Sequence, residues 1–300
     1  MGSAIAAEIA RRQLPVVVDV VTDTSVDPPG RDELDVLLAN TFPPGLLGRC
    51  ARLRWLHLTG TGTDHVPAGQ PRPDLLLTTS ATVPAVAVAE FAWMALLALA
   101  KDAVRLAWQH RECRWALPDA RLMAGSRLVL VGLGRIGSEI ARRATAFGVR
   151  VTAVTRRGLP SPLADRVVTP DALPEVAATA DHLVLAAPST VETRRLVDGA
   201  VLDALPAHAV LVNVGRAGVL DTEALVRALE AGRLRGAMLD VHDTEPVPPD
   251  SRLWSVPNLW LTPHGAYRFP GEEAAVADLF ADNLATFLAG GPLRNQVEVA

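Results

Sequence analysis

Three hundred residues exceed what one ordinary domain core requires, so two domains are expected, and a 49% apolar content is ample to bury both. A net charge of −4, with no basic run and no aromatic-basic platform, leaves no footprint for nucleic acid. Only Cys50 and Cys113 are present, with no close pairing, which points to a reducing, cytoplasmic setting and away from a disulfide framework or a structural metal.

Along the chain, Met1 to Ala10 is alanine-rich, but Glu8 precedes Arg11-Arg12 and no basic start leads into a long apolar stretch, so no targeting segment is read there. Short apolar runs at 16–21, 36–39, 53–59 and 75–79 predict strands of an N-terminal α/β domain. Pro28-Pro29-Gly30, Pro43-Pro44-Gly45 and Pro71-Arg72-Pro73 punctuate them. The run 83–100 is the one candidate membrane span. Glu90 near its middle would cost about 3 kcal/mol in a bilayer, and Lys101-Asp102 close its end, so a buried interdomain or subunit-interface helix from about Ala85 is expected instead.

Beyond that helix, apolar runs at 127–131, 150–155, 182–187, 210–214, 235–239 and 259–262 alternate with helical patterns such as 136–147 and 221–231. Such alternation predicts a doubly wound, mostly parallel sheet. The spacing over 272–288 reads as a closing helix that returns to the first domain. The division expected is a discontinuous substrate domain, 1–93 plus 276–300, and a dinucleotide-binding domain, 94–275. The chain crosses the seam twice, which suits hinge closure.

Chemistry enters with the run 128–131 leading into Gly132-Leu133-Gly134-Arg135-Ile136-Gly137. Strand, glycine turn and helix is the context a dinucleotide needs: the first glycine makes the turn, the second lets a pyrophosphate approach the backbone, and the third lets the helix pack close to the sheet. The phosphates would sit on the N–H groups at the helix start. The next strand ends at Thr155-Arg156-Arg157 rather than at an acidic residue that would bind a ribose hydroxyl. A hydroxyl and two guanidinium groups suit a 2′-phosphate, so NADP(H) is the expected cofactor, with NAD(H) as second option. The alternative is that Arg156 and Arg157 are solvated loop cations.

Three later strand ends carry Val214-Gly215-Arg216, Asp240-Val241-His242-Asp243-Thr244-Glu245-Pro246 and Thr262-Pro263-His264-Gly265-Ala266. An arginine can grip a carboxylate in a bidentate fork, a histidine exchanges protons near neutrality, and a glutamate beside it orients the ring and favours its charged form. The set suits reversible reduction of a 2-oxo acid.

With these motifs, Gly60-Thr61-Gly62-Thr63-Asp64, Val88-Ala89-Glu90, Ala187-Pro188-Ser189-Thr190 and Asn213-Val214-Gly215-Arg216, the chain resembles the D-isomer-specific 2-hydroxyacid dehydrogenases, in particular the glyoxylate and hydroxypyruvate reductases. The resemblance implies an α/β fold of a Rossmann nucleotide-binding domain and a smaller flavodoxin-like substrate domain, and a homodimer. It also implies roles: Arg216 for the substrate carboxylate and carbonyl, His264 as general acid/base, Glu245 as its partner, and Asp240 at the nicotinamide carboxamide. Backbone N–H groups of Thr61 and Gly62 would complete the carboxylate site, while Ala187, Pro188, Thr193, Val214 and Ala266 would line the cofactor. No metal and no membrane enter the scheme.

The chain departs from the family pattern where Ala217 separates Arg216 from Gly218, where His242 replaces an aromatic, where His65 replaces an asparagine after Asp64, and where Tyr267 replaces a small residue. These changes bear on which 2-oxo acid is used more than on reaction type. Tyr267 either contacts substrate or packs at the domain seam; Arg268 either meets a second anionic group or faces solvent. His242 and His65 have no second ligand at metal-binding spacing. Two other functions share the pattern: a phosphite- or formate-type dehydrogenase, disfavoured because the 61–63 loop has no lysine, and a nucleotide-sensing regulatory protein on the same fold.

Overall fold

The computed structural model describes residues 1–28, 30–63, 66 and 74–297. Asp64, His65 and the punctuation at Pro29 and 71–73 lie outside the described residues. In chain order the elements are α1 (Gly2–Arg11), β1 (Val36–Ala39), α2 (Leu46–Arg49), β2 (Trp55–Leu58), β3 (Leu76–Thr79), α3 (Ala85–Ala100), α4 (Ala103–Arg111), β4 (Arg127–Val131), α5 (Arg135–Ala146), β5 (Arg150–Val154), β6 (Arg166–Val168), α6 (Leu173–Ala177), β7 (His182–Leu185), α7 (Gly199–Ala204), β8 (Val210–Asn213), α8 (Thr222–Glu230), β9 (Gly236–Leu239), β10 (Leu259–Leu261) and α9 (Glu272–Leu288). They fall into two compact units, Met1–Pro84 with Arg268–Ala300, and Ala85–Tyr267.

The smaller unit holds a parallel sheet in the order β1-β2-β3, with Trp55 in register between Val36 and Leu76. One face packs on Leu46, Leu47, Cys50 and Leu53; the other packs on Ile5 and Ile9 of α1 and on Phe280 and Leu284 of α9. Trp55 stacks on Phe280 with ring centroids 5.0 Å apart. The strand expected at 16–21 is absent. Val16 packs against the α1–α9 core, but Val17 is 93% exposed and Val20 half exposed, and the segment lies outside the sheet. Valine's β-preference is realised only when a neighbouring strand pairs with it and covers one face, and the sheet ends at β1.

The larger unit is a seven-stranded sheet in the order β10-β9-β8-β7-β4-β5-β6, with every pair parallel. Its central strands β7, β8 and β9 are buried along their whole length, as the near-continuous apolar runs require of a sheet covered on both faces. The strand order reverses where β4 lies between β5 and β7. In such sheets the ligand crevice opens beyond the carboxyl ends of the strands at that reversal. The edge strand β6, three residues long with Arg166 at its start, is too short to show a period in the sequence.

The apolar run ending at Ala100 forms α3, which packs on α5 and β8 within the larger unit. The Trp93 indole N–H donates to the Ile140 carbonyl at 3.0 Å, and its ring stacks on Phe147. Glu90 points outward to Arg143 of α5. Among the described residues no helix is long and apolar enough to cross a membrane. Because all of α3 packs with its own unit, the units part at Pro84 and again at Tyr267, whereas the sequence places the junctions at 93 and 275.

Candidate active site

The expected dinucleotide loop is built as its glycines require. At the end of β4 the backbone turns at Gly132 with φ +98°, where a Cβ would also stand 2.9 Å from the backbone of Ala186 and Ala187. A Cβ on Gly137 would meet the Gly132 carbonyl oxygen at 2.0 Å, so α5 packs against the turn only because that position is bare. Gly134 caps α5 and has open space around its missing side chain. No side chain caps this helix and no acidic residue occupies its first turn, so the positive end of its dipole favours an anion there. These features fit a pyrophosphate.

At the end of β5, the Thr155 hydroxyl accepts the Gly158 N–H at 3.1 Å and thereby shapes the turn. Arg156 and Arg157 on that turn are both exposed. After β7, the Thr193 hydroxyl donates to the Pro188 carbonyl at 2.7 Å and accepts the Thr190 N–H at 2.7 Å, so it closes the 188–193 loop on itself. Ala187 lies against Gly215, where a Cβ would come within 2.7 Å of the Ala187 oxygen.

Arg216 leaves the carboxyl end of β8 through Val214, which is buried, and Gly215. The loop is shaped by Asn213, a wholly buried side chain whose Oδ1 accepts the Gly215 N–H at 3.0 Å and whose Nδ2 donates to the Arg216 carbonyl at 3.1 Å. The only sequence signal of this role is a polar residue closing an apolar strand, which does not by itself disclose it. The Arg216 guanidinium is half-buried and donates through Nη1 to the Gly215 carbonyl at 2.9 Å.

Glu245 and His264 are brought together from the ends of neighbouring strands β9 and β10. His264 Nδ1 donates to Glu245 Oε2 at 2.8 Å, and the other carboxylate oxygen accepts the backbone N–H of His242 at 2.8 Å. Partial burial raises the Glu245 pKa, but the hydrogen bonds from the His264 ring and the His242 backbone outweigh it and hold the carboxyl below its ordinary value. With Nδ1 held by the carboxylate, Nε2 is the ring nitrogen that Glu245 does not engage.

The His264 backbone is left-handed, with φ +50°, an uncommon conformation for a residue that carries a side chain. Asp240 braces it. This carboxylate, 2% exposed, accepts the Thr262 hydroxyl at 2.8 Å and the Gly265 N–H at 3.0 Å on Oδ1, and the Ala266 N–H at 3.0 Å on Oδ2. Tyr267 is set edge-on to the His264 ring, with centroids 6.3 Å apart. Thr61 and Gly62 follow β2 in the smaller unit, and Arg268 of that unit reaches Glu272 at 3.5 Å. Among the described residues no group of histidine, cysteine and carboxylate side chains could hold a metal ion.

Comparison with known proteins identifies the family. The family profile described as D-isomer specific 2-hydroxyacid dehydrogenase, NAD binding domain, matches residues 93–266. A glyoxylate reductase of Thermococcus kodakarensis is 32% identical over 270 residues, covering 86% of this chain and 80% of that one. A glyoxylate/hydroxypyruvate reductase A of Arabidopsis thaliana is 35% identical over 213 residues, 70% and 67% of the two chains. The crystal structure of a D-isomer specific 2-hydroxyacid dehydrogenase from Xanthobacter autotrophicus Py2, in complex with NADPH and MES, superposes with a TM-score of 0.88 at 28% identity, covering 99% of this chain and 96% of that one. The chain belongs to the D-isomer-specific 2-hydroxyacid dehydrogenases, NAD(P)-dependent enzymes of 2-hydroxy and 2-oxo acids.

Proposed function

We propose that this enzyme reduces a small 2-oxo acid of the glyoxylate/hydroxypyruvate type to the D-2-hydroxy acid, with NADPH preferred over NADH. The observation that carries the reading is the 2.8 Å pair between His264 Nδ1 and an ionised Glu245, set on the same sheet edge as Arg216 and the glycine turn. Bound NADPH supplies the hydride. Arg216 grips the substrate carboxylate and stabilises charge growing on the carbonyl oxygen. His264 Nε2 delivers the proton to that oxygen while Glu245 balances the imidazolium.

Because Glu245 is held below its ordinary pKa of 4.5, its share of the pair persists as pH falls through that value and is lost only at lower pH, as the depressed carboxyl finally protonates. Asp240 and Ala266 would border the nicotinamide, and Thr61 and Gly62 would offer backbone N–H groups to the substrate carboxylate, with Tyr267 near its side chain.

NADPH is favoured by the exposed Arg156 and Arg157 at the end of β5, on a turn whose own residues, Thr155 to Gly158, include no acidic side chain. The test is loss of NADPH or NADH absorbance with glyoxylate, hydroxypyruvate, pyruvate and phenylpyruvate. Turnover of at least one acid is expected, with kcat/KM higher for NADPH by about tenfold or more. The double variant Arg156→Ala, Arg157→Ala should erase that margin and leave NADH turnover nearly unchanged. A preference for NADH in the parent rejects the cofactor assignment, and binding of NADPH without turnover of any of these acids rejects the proposed substrate type.

The functional unit is proposed to be a homodimer. Trp115 is fully exposed and Leu117 is 89% exposed on the irregular segment after α4, with Trp108 and Leu122 also uncovered, an apolar display that self-association would bury. Light scattering should return twice 31.8 kDa at micromolar concentration, and a monomeric mass overturns the proposal.

A further inference from the structure

His242 takes no part in the proton or hydride step above, yet its ring is tied into both loops that carry the acid–base pair. It follows Val241 beyond the carboxyl end of β9, and its backbone N–H holds the Glu245 oxygen that His264 does not use. Its ring Nε2 lies 2.8 Å from the Thr262 carbonyl oxygen, on the loop after β10. A carbonyl only accepts, so Nε2 carries the hydrogen.

The same carbonyl accepts the His264 backbone N–H at 3.0 Å. One ring therefore fastens the loop bearing Glu245 to the loop bearing His264. The other ring nitrogen, Nδ1, is buried with no hydrogen-bond partner. Leaving a buried polar atom unpaired costs stability, and an apolar ring would fill the space without that cost. The return for accepting it is the directed bond from Nε2.

That bond is needed because His264 sits in the left-handed region at φ +50°. A strained residue of this kind persists only where its surroundings over-determine it. Asp240 secures the loop through the Thr262 hydroxyl and the Gly265 and Ala266 N–H groups, and His242 adds the one ring bond to the Thr262 carbonyl. Glu245 interacts electrostatically with both His242 and His264.

We infer that His242 is a positioning residue: through its Nε2–H it latches the Thr262 carbonyl and keeps His264 Nδ1 in hydrogen-bonding register with Glu245. The inference rests on the assignment of Glu245 and His264 as the acid–base pair.

Two variants of the full chain separate the latch from simple packing. His242→Gln keeps an N–H donor near the position of Nε2, whereas His242→Met fills similar space without one. With NADPH and either glyoxylate or hydroxypyruvate, kcat of His242→Met should fall by about tenfold or more, the usual scale for a displaced catalytic group, while both KM values stay within about twofold. His242→Gln should recover most of kcat.

A second readout needs no substrate. The downfield proton resonance of the hydrogen-bonded His264 Nδ1–H should be present in the parent and in His242→Gln, and lost to exchange in His242→Met. Parent-like kcat and an intact resonance in a folded His242→Met overturn the inference, as does a folded His242→Gln that falls as far as His242→Met. Should His242→Met not fold, ring-nitrogen spectra of the parent decide: finding hydrogen on Nδ1 and not Nε2 of His242 overturns it. If His264→Asn retained activity, the acid–base reading would fail; if His264→Asn were inactive and His242→Met were normal, only the latch would.

Discussion

Arg216→Ala is expected to lower kcat/KM for the preferred 2-oxo acid by about a thousandfold or more, equivalent to about 4 kcal/mol of transition-state binding. Two interactions are lost together: the fork on the substrate carboxylate, which contributes to KM, and the positive charge facing the developing alkoxide, which contributes to kcat. Arg216→Lys restores the charge as a point and not as a fork, so it should recover part of kcat and little of KM. The loop itself should survive both changes, because Asn213 holds it through the Gly215 N–H and the Arg216 carbonyl, neither of which depends on the arginine side chain. NADPH affinity and thermal midpoint are the controls. An alanine variant within a few-fold of the parent would remove Arg216 from the mechanism.

His264→Asn should reduce kcat by roughly a hundredfold to ten-thousandfold, the range for losing a general acid, with little change in NADPH affinity. Asparagine is the informative replacement because the position is left-handed, a conformation that asparagine tolerates better than most residues. In the proposed reduction the ring supplies the proton to the carbonyl oxygen, and in the reverse oxidation it takes one up, so both directions should slow together in His264→Asn. A variant that kept the parent's kcat in either direction would assign the proton to another group.

These expectations depend on how unevenly the chain discloses itself. The glycine turn, α5, the apolar strands of the larger sheet and α9 are legible because each is a local pattern: a turn that only glycine can make, a strand buried on both faces, a helix with one apolar stripe. The types of the three reactive side chains are legible for the same reason, each following an apolar run at the edge of a parallel sheet. The strand expected at 16–21 shows the limit of such patterns. Its valines have the right propensity, but pairing is a tertiary event, and the neighbouring edge at β1 is not joined to them. The edge strand β6 fails in the opposite sense, since three residues carry no period yet pair readily once β5 is beside them.

At the site, composition and order along the chain determined that this protein carries a dinucleotide loop and an arginine, a glutamate and a histidine suited to 2-oxo acid chemistry, because each signal is a short motif closing an apolar run. Only the tertiary structure decided how the groups are held. It gave Asp240 three donors from the histidine loop, placed Asn213 under the arginine turn, and aimed the His242 ring at the Thr262 carbonyl. Hydrogen bonds between residues about twenty positions apart depend on β9 and β10 lying side by side in register, and no local pattern encodes that adjacency.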